Sequence, residues 1–151
     1  MRKLLVFVLF VVSIPIVVIN FFYSYEVLDI KTGFISNEKD NEVFIRVKRS
    51  DGNVETINLE DYLIGVVPSE SPLSFEDEAL KAQAVAARTY ALKQMQNNSD
   101  NYYDVTDDTY SQVYSDIDTL RYRWGDYFDE NYARVKNIVD STKGQYVSYG
   151  S

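Results

Sequence analysis

The order of apolar and polar residues in the middle of the chain predicts a β-hairpin. Residues 43–48 alternate between the two classes, as a half-buried strand does, and residues 54–59 are predicted to be the returning strand. Between them, Asp51 and Gly52 form a pair that favours a tight hairpin turn. We therefore expect two antiparallel strands with one buried face.

Apolar residues then recur at helical spacing, which predicts a first helix over residues 60–66. The positions that share one face are Leu59, Tyr62, Leu63 and Val66. We expect this face to pack on the hairpin.

An alanine-rich stretch predicts a second helix. Ser74 is its predicted N-cap, and the acidic residues 76–78 suit the positive end of the helix dipole. The polar residues 97–100 are predicted to end it. Six alanines between residues 79 and 92 indicate close packing on several sides, and hence a central helix.

The last part of the chain predicts one more helix and one more strand. The helix covers residues 127–141, with residues 133–135 and 138–139 facing the core. The strand covers residues 145–149 and is expected to leave an edge unpaired. Together these elements predict an α+β fold in which short β-hairpins pack around a central alanine-rich helix.

The N-terminus predicts a membrane anchor. Two basic residues precede residues 4–25, which carry no charge, and about 20 apolar residues span a bilayer core. The basic start places the N-terminus in the cytoplasm and the rest of the chain outside, as a single-pass protein of the cell membrane. A cleaved signal peptide is the alternative, although aromatic residues stand where small ones should precede a cleavage site.

Composition then removes several kinds of chemistry. The chain has no Cys and no His, so thiolate and imidazole metal sites, Ser-His pairs and a histidine base are excluded. Acid–base chemistry must come from carboxylates, Lys or Tyr. A formal net charge of −8 argues against nucleic acid as a partner, because such proteins present a basic face.

Glu70 is the candidate acid. It stands between Pro68 and Pro72 after the apolar residues 63–67, and is predicted to lie in a stiff turn with apolar flanks. Such surroundings raise the pKa of a carboxyl group, as a general acid requires. The alternative is an ordinary turn residue.

Other polar residues are weaker candidates. Gln83 and Tyr90 are seven residues apart and share a face of the second helix, where Arg88 either holds a substrate or forms a structural ion pair. Further along, four tyrosines are either platforms for sugar rings or core residues: Tyr102, Tyr103, Tyr110 and Tyr114. The aspartates among them do not form a calcium-binding loop motif.

Three blocks of the sequence resemble those of a known family. The stretch LEDYLIGVVPSESPLSFEDEALKAQAVAARTYAL is similar to the hallmark block of the stage II sporulation protein D family, which includes the LytB amidase enhancers. That block has the form L-x-x-Y-L-x-G-V-V-x-x-E-M-P, then a turn, then E-A-L-K-A-Q-A-V-A-A-R-T-Y-A. Residues 107–114 resemble its second block and residues 135–149 its third.

The resemblance implies a lytic transglycosylase that cleaves peptidoglycan glycan strands during sporulation. Glu70 matches the position of the catalytic acid, and Arg88 matches a residue tied to activity. Gln112 and Tyr114 match the second block, and we expect both, together with Gln83 and Tyr90, to contact the substrate. Some members bind zinc through Cys or His, which this chain lacks, so no metal or cofactor is expected.

The expected organisation is a membrane anchor over residues 1–25, a stalk over 26–42 and a SpoIID-like domain over 43–151, incomplete at its C-terminus relative to the family. Expected partners are glycan strands, a cell-wall amidase and other membrane-anchored sporulation proteins. Two alternatives to catalysis remain, namely a non-catalytic glycan-binding amidase enhancer and an inactive truncated fragment.

Overall fold

A computed structural model describes residues 31–34 and 42–148, and residues 32–148 form one compact unit. The predicted membrane anchor and most of the predicted stalk lie outside the described residues. Within the described part, no helix combines the length and the apolar character that crossing a membrane requires.

The predicted hairpin is confirmed. Strand β2 (Phe44–Lys48) pairs antiparallel with β3 (Val54–Asn58), so that Phe44 lies opposite Asn58. Gly52 has a φ of 90° in the connecting turn, a backbone conformation that glycine adopts without strain. A further strand, β1 (Lys31–Phe34), belongs to a separate two-stranded sheet.

Helix α1 (Leu59–Glu70) is longer than predicted, and the predicted end at residue 66 is wrong. Asn58 caps it by accepting a hydrogen bond from the Glu60 amide at 2.9 Å. Pro68 lies inside the helix, where it cannot donate the usual backbone hydrogen bond. All residues from 62 to 67 are buried, and we attribute the continuation of the helix to this burial.

Helix α2 (Asp77–Asn97) begins later than predicted. Glu76, and not Ser74, takes the N-cap position, because residues 72–75 form a turn closed by a hydrogen bond from the Phe75 amide to the Pro72 carbonyl oxygen. The predicted end is confirmed.

Helix α2 contacts several other elements of the described part, as predicted, although its alanines are not all buried. Half of its six early alanines are buried, namely Ala84, Ala87 and Ala91, whereas Ala79, Ala82 and Ala86 are exposed. The helix packs on α1, on the last helix and on the strands over residues 105–106 and 145–148, while its exposed alanines meet solvent.

The C-terminal part contains two elements that the sequence did not predict. Strand β4 (Val105–Thr106) pairs parallel with β2, and helix α3 (Ile117–Trp124) precedes a short 3-10 turn. The predicted last helix is confirmed as α4 (Phe128–Ser141), although Ala133 within it is exposed.

The last strand is also confirmed. It is described as β5 (Gln145–Ser148), and it pairs with β1. One core joins the elements, with β2, β4, α1, α2 and α4 supplying the buried residues.

Candidate functional site

Glu70 is the last residue of α1, and its side chain is exposed. The predicted turn with apolar flanks is therefore wrong, because the helix runs through Pro68 and carries Glu70 out to its end. Its Oε1 atom accepts a hydrogen bond of 2.6 Å from the backbone amide of Val113. The carboxylate is thus accessible to a ligand and oriented by one donor.

The donor belongs to residues 107–116, which we call the site segment. This segment lies directly on α1 at Gly65, whose carbonyl oxygen accepts a hydrogen bond from the Ser115 amide at 3.3 Å. A Cβ atom at Gly65 would overlap the ring of Tyr114 and come within 2.5 Å of the Ser115 carbonyl oxygen. The close approach therefore requires glycine at this position.

Tyr62 of α1 forms a cluster with buried Gln112 and half-buried Tyr114 of the site segment. The rings of Tyr62 and Tyr114 stack with centroids 5.3 Å apart, and the Tyr62 hydroxyl lies 3.4 Å from Oε1 of Gln112. Burial raises the pKa of both phenols above the ordinary value, with the larger rise for Tyr62. Both hydroxyls therefore remain protonated at neutral pH, and that of Tyr62 donates to Gln112.

Arg49, at the end of β2, connects the two ends of the site segment. Its Nη2 atom lies 2.7 Å from Oδ2 of Asp116, and its Nε atom lies 3.5 Å from Oδ2 of Asp107. The guanidinium also lies over the Tyr114 ring, 4.9 Å from the centroid.

Asp116 is held from a second side. It caps α3 by accepting a hydrogen bond from the Thr119 amide at 2.8 Å. Hydrogen bonds from Thr119, and after them the Arg49 cation, lower the pKa of this carboxyl group. Asp116 is therefore ionised at neutral pH and available to Arg49.

Arg88 does not face Glu70. It is buried, and it forms a bidentate ion pair with Glu60, with Nε to Oε1 at 3.0 Å and Nη2 to Oε2 at 2.6 Å. It also donates to the Gln145 carbonyl oxygen at 3.0 Å. The structure shows the ion pair that was one of the two alternatives for this residue, and its catalytic role stays a prediction.

The remaining predicted residues separate into two groups. Gln112 and Tyr114 are brought next to Glu70, because they flank the Val113 amide in the site segment. Tyr90 is half-buried and borders an open groove of about 550 Å³ with Ser111, which we call the tyrosine groove. Gln83 is half-buried outside this groove, and no side-chain hydrogen bond to it occurs in the described part of the chain.

Two aspartates near the site besides Asp116 are paired with arginines, whereas Asp108 accepts hydrogen bonds from the Thr106 hydroxyl and the Tyr110 amide. Asp104 lies 2.6 Å from Arg46, and Asp107 lies beside Arg49. Within the ranges that the structure describes, no group of three or more carboxylates is placed to hold a metal ion.

The family model described as SpoIID, stage II sporulation protein, matches residues 48–149, which include Glu70, Arg88 and the whole site segment. The chain belongs to the SpoIID family of stage II sporulation proteins. The resemblance seen in the sequence is thereby confirmed.

Three SpoIID-like relatives show the extent of the similarity. Stage II sporulation protein D of Bacillus amyloliquefaciens is 41% identical over 116 residues, which are 74% of this chain and 34% of the relative. The protein of the same name in Bacillus subtilis (strain 168) is 40% identical over 118 residues, again 34% of its length. An amidase enhancer of Bacillus subtilis (strain 168) is 39% identical over 87 residues, 58% of this chain and 10% of that protein. The chain thus spans about a third of the length of its SpoIID relatives.

From the sequence we assigned no role in this SpoIID site to three residues that help to form it. Gly65 carries a local signal, because a glycine inside a helix costs about 1 kcal/mol relative to alanine and often marks close packing. Tyr62 was placed on the core face of α1 and matches the tyrosine of the family block, but no local pattern indicates its contact with Gln112. Arg49 follows the end of β2 without any distinguishing pattern.

Proposed function

We propose that this chain carries the acid–base centre of a peptidoglycan lytic transglycosylase, with Glu70 as general acid and then general base. Family membership and the similarity to an amidase enhancer support a role in cell-wall processing during sporulation. The observation that carries the finer proposal is the position of Glu70. Its carboxylate is exposed and oriented by the Val113 amide, which lies between Gln112 and Tyr114 in the chain.

The chemistry needs one carboxyl group. Glu70 protonates the glycosidic oxygen as the bond from that oxygen to the sugar C1 breaks. The resulting carboxylate then takes the proton of the C6 hydroxyl, whose oxygen forms the new bond to C1. The product is a 1,6-anhydro sugar, so water is neither needed nor consumed. In a chain without His or Cys, a carboxyl group is the natural choice for both transfers.

The neighbouring groups suit such a reaction. Oε1 of Glu70 is occupied by the Val113 amide, whereas no hydrogen bond to Oε2 occurs within the described residues. That oxygen is therefore available to a glycosidic oxygen or a hydroxyl group. The aligned part of this chain covers 34% of the length of its SpoIID relatives. We therefore propose that Glu70 and its neighbours form one part of the substrate cleft, and that the activity belongs to the whole cleft.

The decisive experiment replaces the acid by its neutral isostere. Purified glycan strands are digested with the wild type and with Glu70→Gln, and 1,6-anhydromuramoyl ends are counted by mass spectrometry. We expect at least about a 100-fold loss in Glu70→Gln, as removal of a general acid typically causes. Glu76→Gln is the matched control, because Glu76 is also exposed at a helix end and makes no side-chain capping bond. Equal yields from Glu70→Gln and the wild type would exclude Glu70 as the acid.

A second function is favoured by the similarity to the amidase enhancer, namely glycan binding that stimulates an amidase without cleavage. Under this alternative the wild type produces no anhydro ends, and Glu70→Gln stimulates the amidase as well as the wild type does. For either function we propose that the domain acts outside the membrane, anchored by the predicted helix over residues 1–25.

A further inference from the structure

The tyrosine groove lies beside the site segment and is lined by aromatic and amide side chains. Its aromatic residues come from α2 and from the residues on either side of β4: Tyr90, Tyr102, Tyr103 and Tyr110. Tyr102 is 78% exposed and Tyr110 is 90% exposed, so both rings present their faces to solvent. The volume of about 550 Å³ is within the range of small-molecule sites.

The groove offers hydrogen-bonding groups that the protein does not use. Among the described residues, the hydroxyl groups of its four tyrosines make no hydrogen bond. Gln94 accepts a hydrogen bond from Asn98 at 3.3 Å through its oxygen, which leaves its amide nitrogen free to donate. Flat apolar faces next to free donors and acceptors match a ligand with apolar ring faces and hydroxyl edges.

The charges in the groove narrow the class of ligand that it can bind. Its single acidic side chain, Asp104, is neutralised by Arg46, which donates from Nη2 at 2.6 Å and from its backbone amide at 2.7 Å. No lysine or arginine lies among the lining residues that the structure describes, and the nearby Lys48 is engaged over the Tyr103 ring, 5.1 Å from its centroid. A nucleic acid would require such cations, so its stacking on these tyrosines is disfavoured. An uncharged, polyhydroxylated ligand fits the lining best.

The groove is continuous along the chain with the candidate catalytic centre. Ser111 lines the groove, and Val113, two residues later, donates to Glu70. Two residues of extended backbone span at most about 7 Å. A chain-like ligand that lies in the groove can therefore extend along the site segment to the acid.

We propose that the tyrosine groove is a saccharide subsite that holds a glycan strand beside the point of cleavage. The proposal rests on the proposed function for its substrate, and it adds a specific consequence. Because the groove contacts sugars that are not cleaved, strands long enough to fill both the groove and the Glu70 site bind more tightly than short ones.

Binding is tested without cleavage, in the Glu70→Gln background. The probe is a soluble β-1,4-linked tetramer of N-acetylglucosamine, and its affinity is measured from NMR shifts of the backbone amides of residues 102–111. We expect Tyr102→Ala and Tyr110→Ala each to weaken binding about tenfold, roughly the loss of one stacking contact. Tyr122→Ala is the matched control, since Tyr122 is 93% exposed on α3 and does not line the groove.

Kinetics on long and short strands provide a second measurement. Tyr102→Ala and Tyr110→Ala should raise KM for long strands about tenfold and leave kcat unchanged, while the shortest cleavable strands are unaffected. Unaltered tetramer affinity in both variants, or an equal loss in Tyr122→Ala, overturns the proposal. So does binding of a proline-rich peptide in place of the tetramer. If the wild type cleaves nothing but the tyrosine variants lose the tetramer, the proposed enzymatic function fails and the subsite stands.

Discussion

Gly65 determines whether the acid has its hydrogen-bond donor. The site segment reaches Glu70 only because its backbone and the Tyr114 ring lie against the bare Cα of this glycine. Ser69 reinforces the contact, since its hydroxyl donates to the Gly65 carbonyl oxygen at 2.7 Å and lies 2.9 Å from Oγ of Ser115. The absence of a side chain at Gly65 thus controls the geometry of the Glu70 carboxylate, which lies about one and a half turns further along the helix.

Gly65→Ala tests this dependence at the scale of one residue. By helix propensity alone, alanine should stabilise α1 by about 1 kcal/mol. We expect the opposite sign, a loss of about 1–3 kcal/mol, because the new methyl group overlaps Tyr114. Denaturant unfolding gives the free energy, and hydrogen exchange of the Val113 amide reports the bond to Glu70.

Ala86→Gly serves as the control for Gly65→Ala. Ala86 is exposed on α2, so this change should cost only the propensity of about 1 kcal/mol and leave Val113 exchange unaltered. A Gly65→Ala protein that is more stable than the wild type, with Val113 still protected, contradicts the proposed close contact.

At the scale of elements, the site depends on a segment without regular secondary structure. The site segment is held at both ends by Arg49, and residues 113–115 near its C-terminal end rest on α1. The hairpin therefore contributes to the site indirectly, because the end of β2 supplies Arg49. We infer that the hairpin fixes the segment that orients Glu70.

Arg49→Met tests this connection. Methionine keeps much of the side-chain volume but loses the ion pairs with Asp107 and Asp116 and the cation over Tyr114. We expect at least about tenfold faster exchange of the Val113 amide and a loss of glycan cleavage, with a smaller effect on global stability. Lys93→Met, which removes an exposed cation from α2, should change neither. If Arg49→Met leaves Val113 exchange as in the wild type, Arg49 does not hold the segment.

At the scale of the whole molecule, Arg88 and Glu60 connect most of the helices. Arg88 extends from α2 to Glu60 on α1, to the Val139 carbonyl oxygen on α4 and to the Gln145 carbonyl oxygen on β5. It is the largest of the fully buried side chains in the described part of the chain. Burying an ion pair in this position costs desolvation free energy. Removing one partner is nevertheless strongly destabilising, because it leaves a buried charge without a counter-ion.

Arg88→Met is therefore expected to destabilise the protein by about 3–5 kcal/mol, since Glu60 remains as a half-buried carboxylate without its partner. The double variant Arg88→Met with Glu60→Leu should recover part of this loss. Lys136→Met breaks an exposed pair with Asp140 and should cost at most about 1 kcal/mol. Urea unfolding curves give all three free energies.

The same variants separate the structural role of Arg88 from a catalytic one. If the role is structural, the double variant cleaves glycan strands in proportion to its folded fraction. A fully folded double variant without any cleavage would instead support the catalytic role predicted from the family motif.

The parts of the fold that the sequence predicted are those with local signals. The Asp51-Gly52 turn and the flanking strands depend on neighbouring residues, and α4 on a repeated apolar face. Helix α1 was predicted too short because Pro68 is a strong local breaker, and only burial against other elements overrides it.

The parts that the sequence did not predict depend on distant contacts. Strand β4 has two residues and exists because it pairs with β2, more than fifty residues earlier. The same holds for the site. The sequence motif indicated Glu70, but the exposure of this residue and its link to Val113 follow from packing between segments that share no local pattern.

The long connections of the site segment also bear on the order in which the molecule forms. The bond between Val113 and Glu70 spans 43 residues, the Ser69–Ser115 contact spans 46 and the Arg49–Asp116 pair spans 67. Contacts of such sequence separation are slow to form, because the intervening loop must close before they contribute any energy. We therefore expect the hairpin and the α1–α2 pair to be in place first. On a ribosome, the acid would be synthesised well before the residues that orient it, so the catalytic centre would be among the last features of the domain to mature.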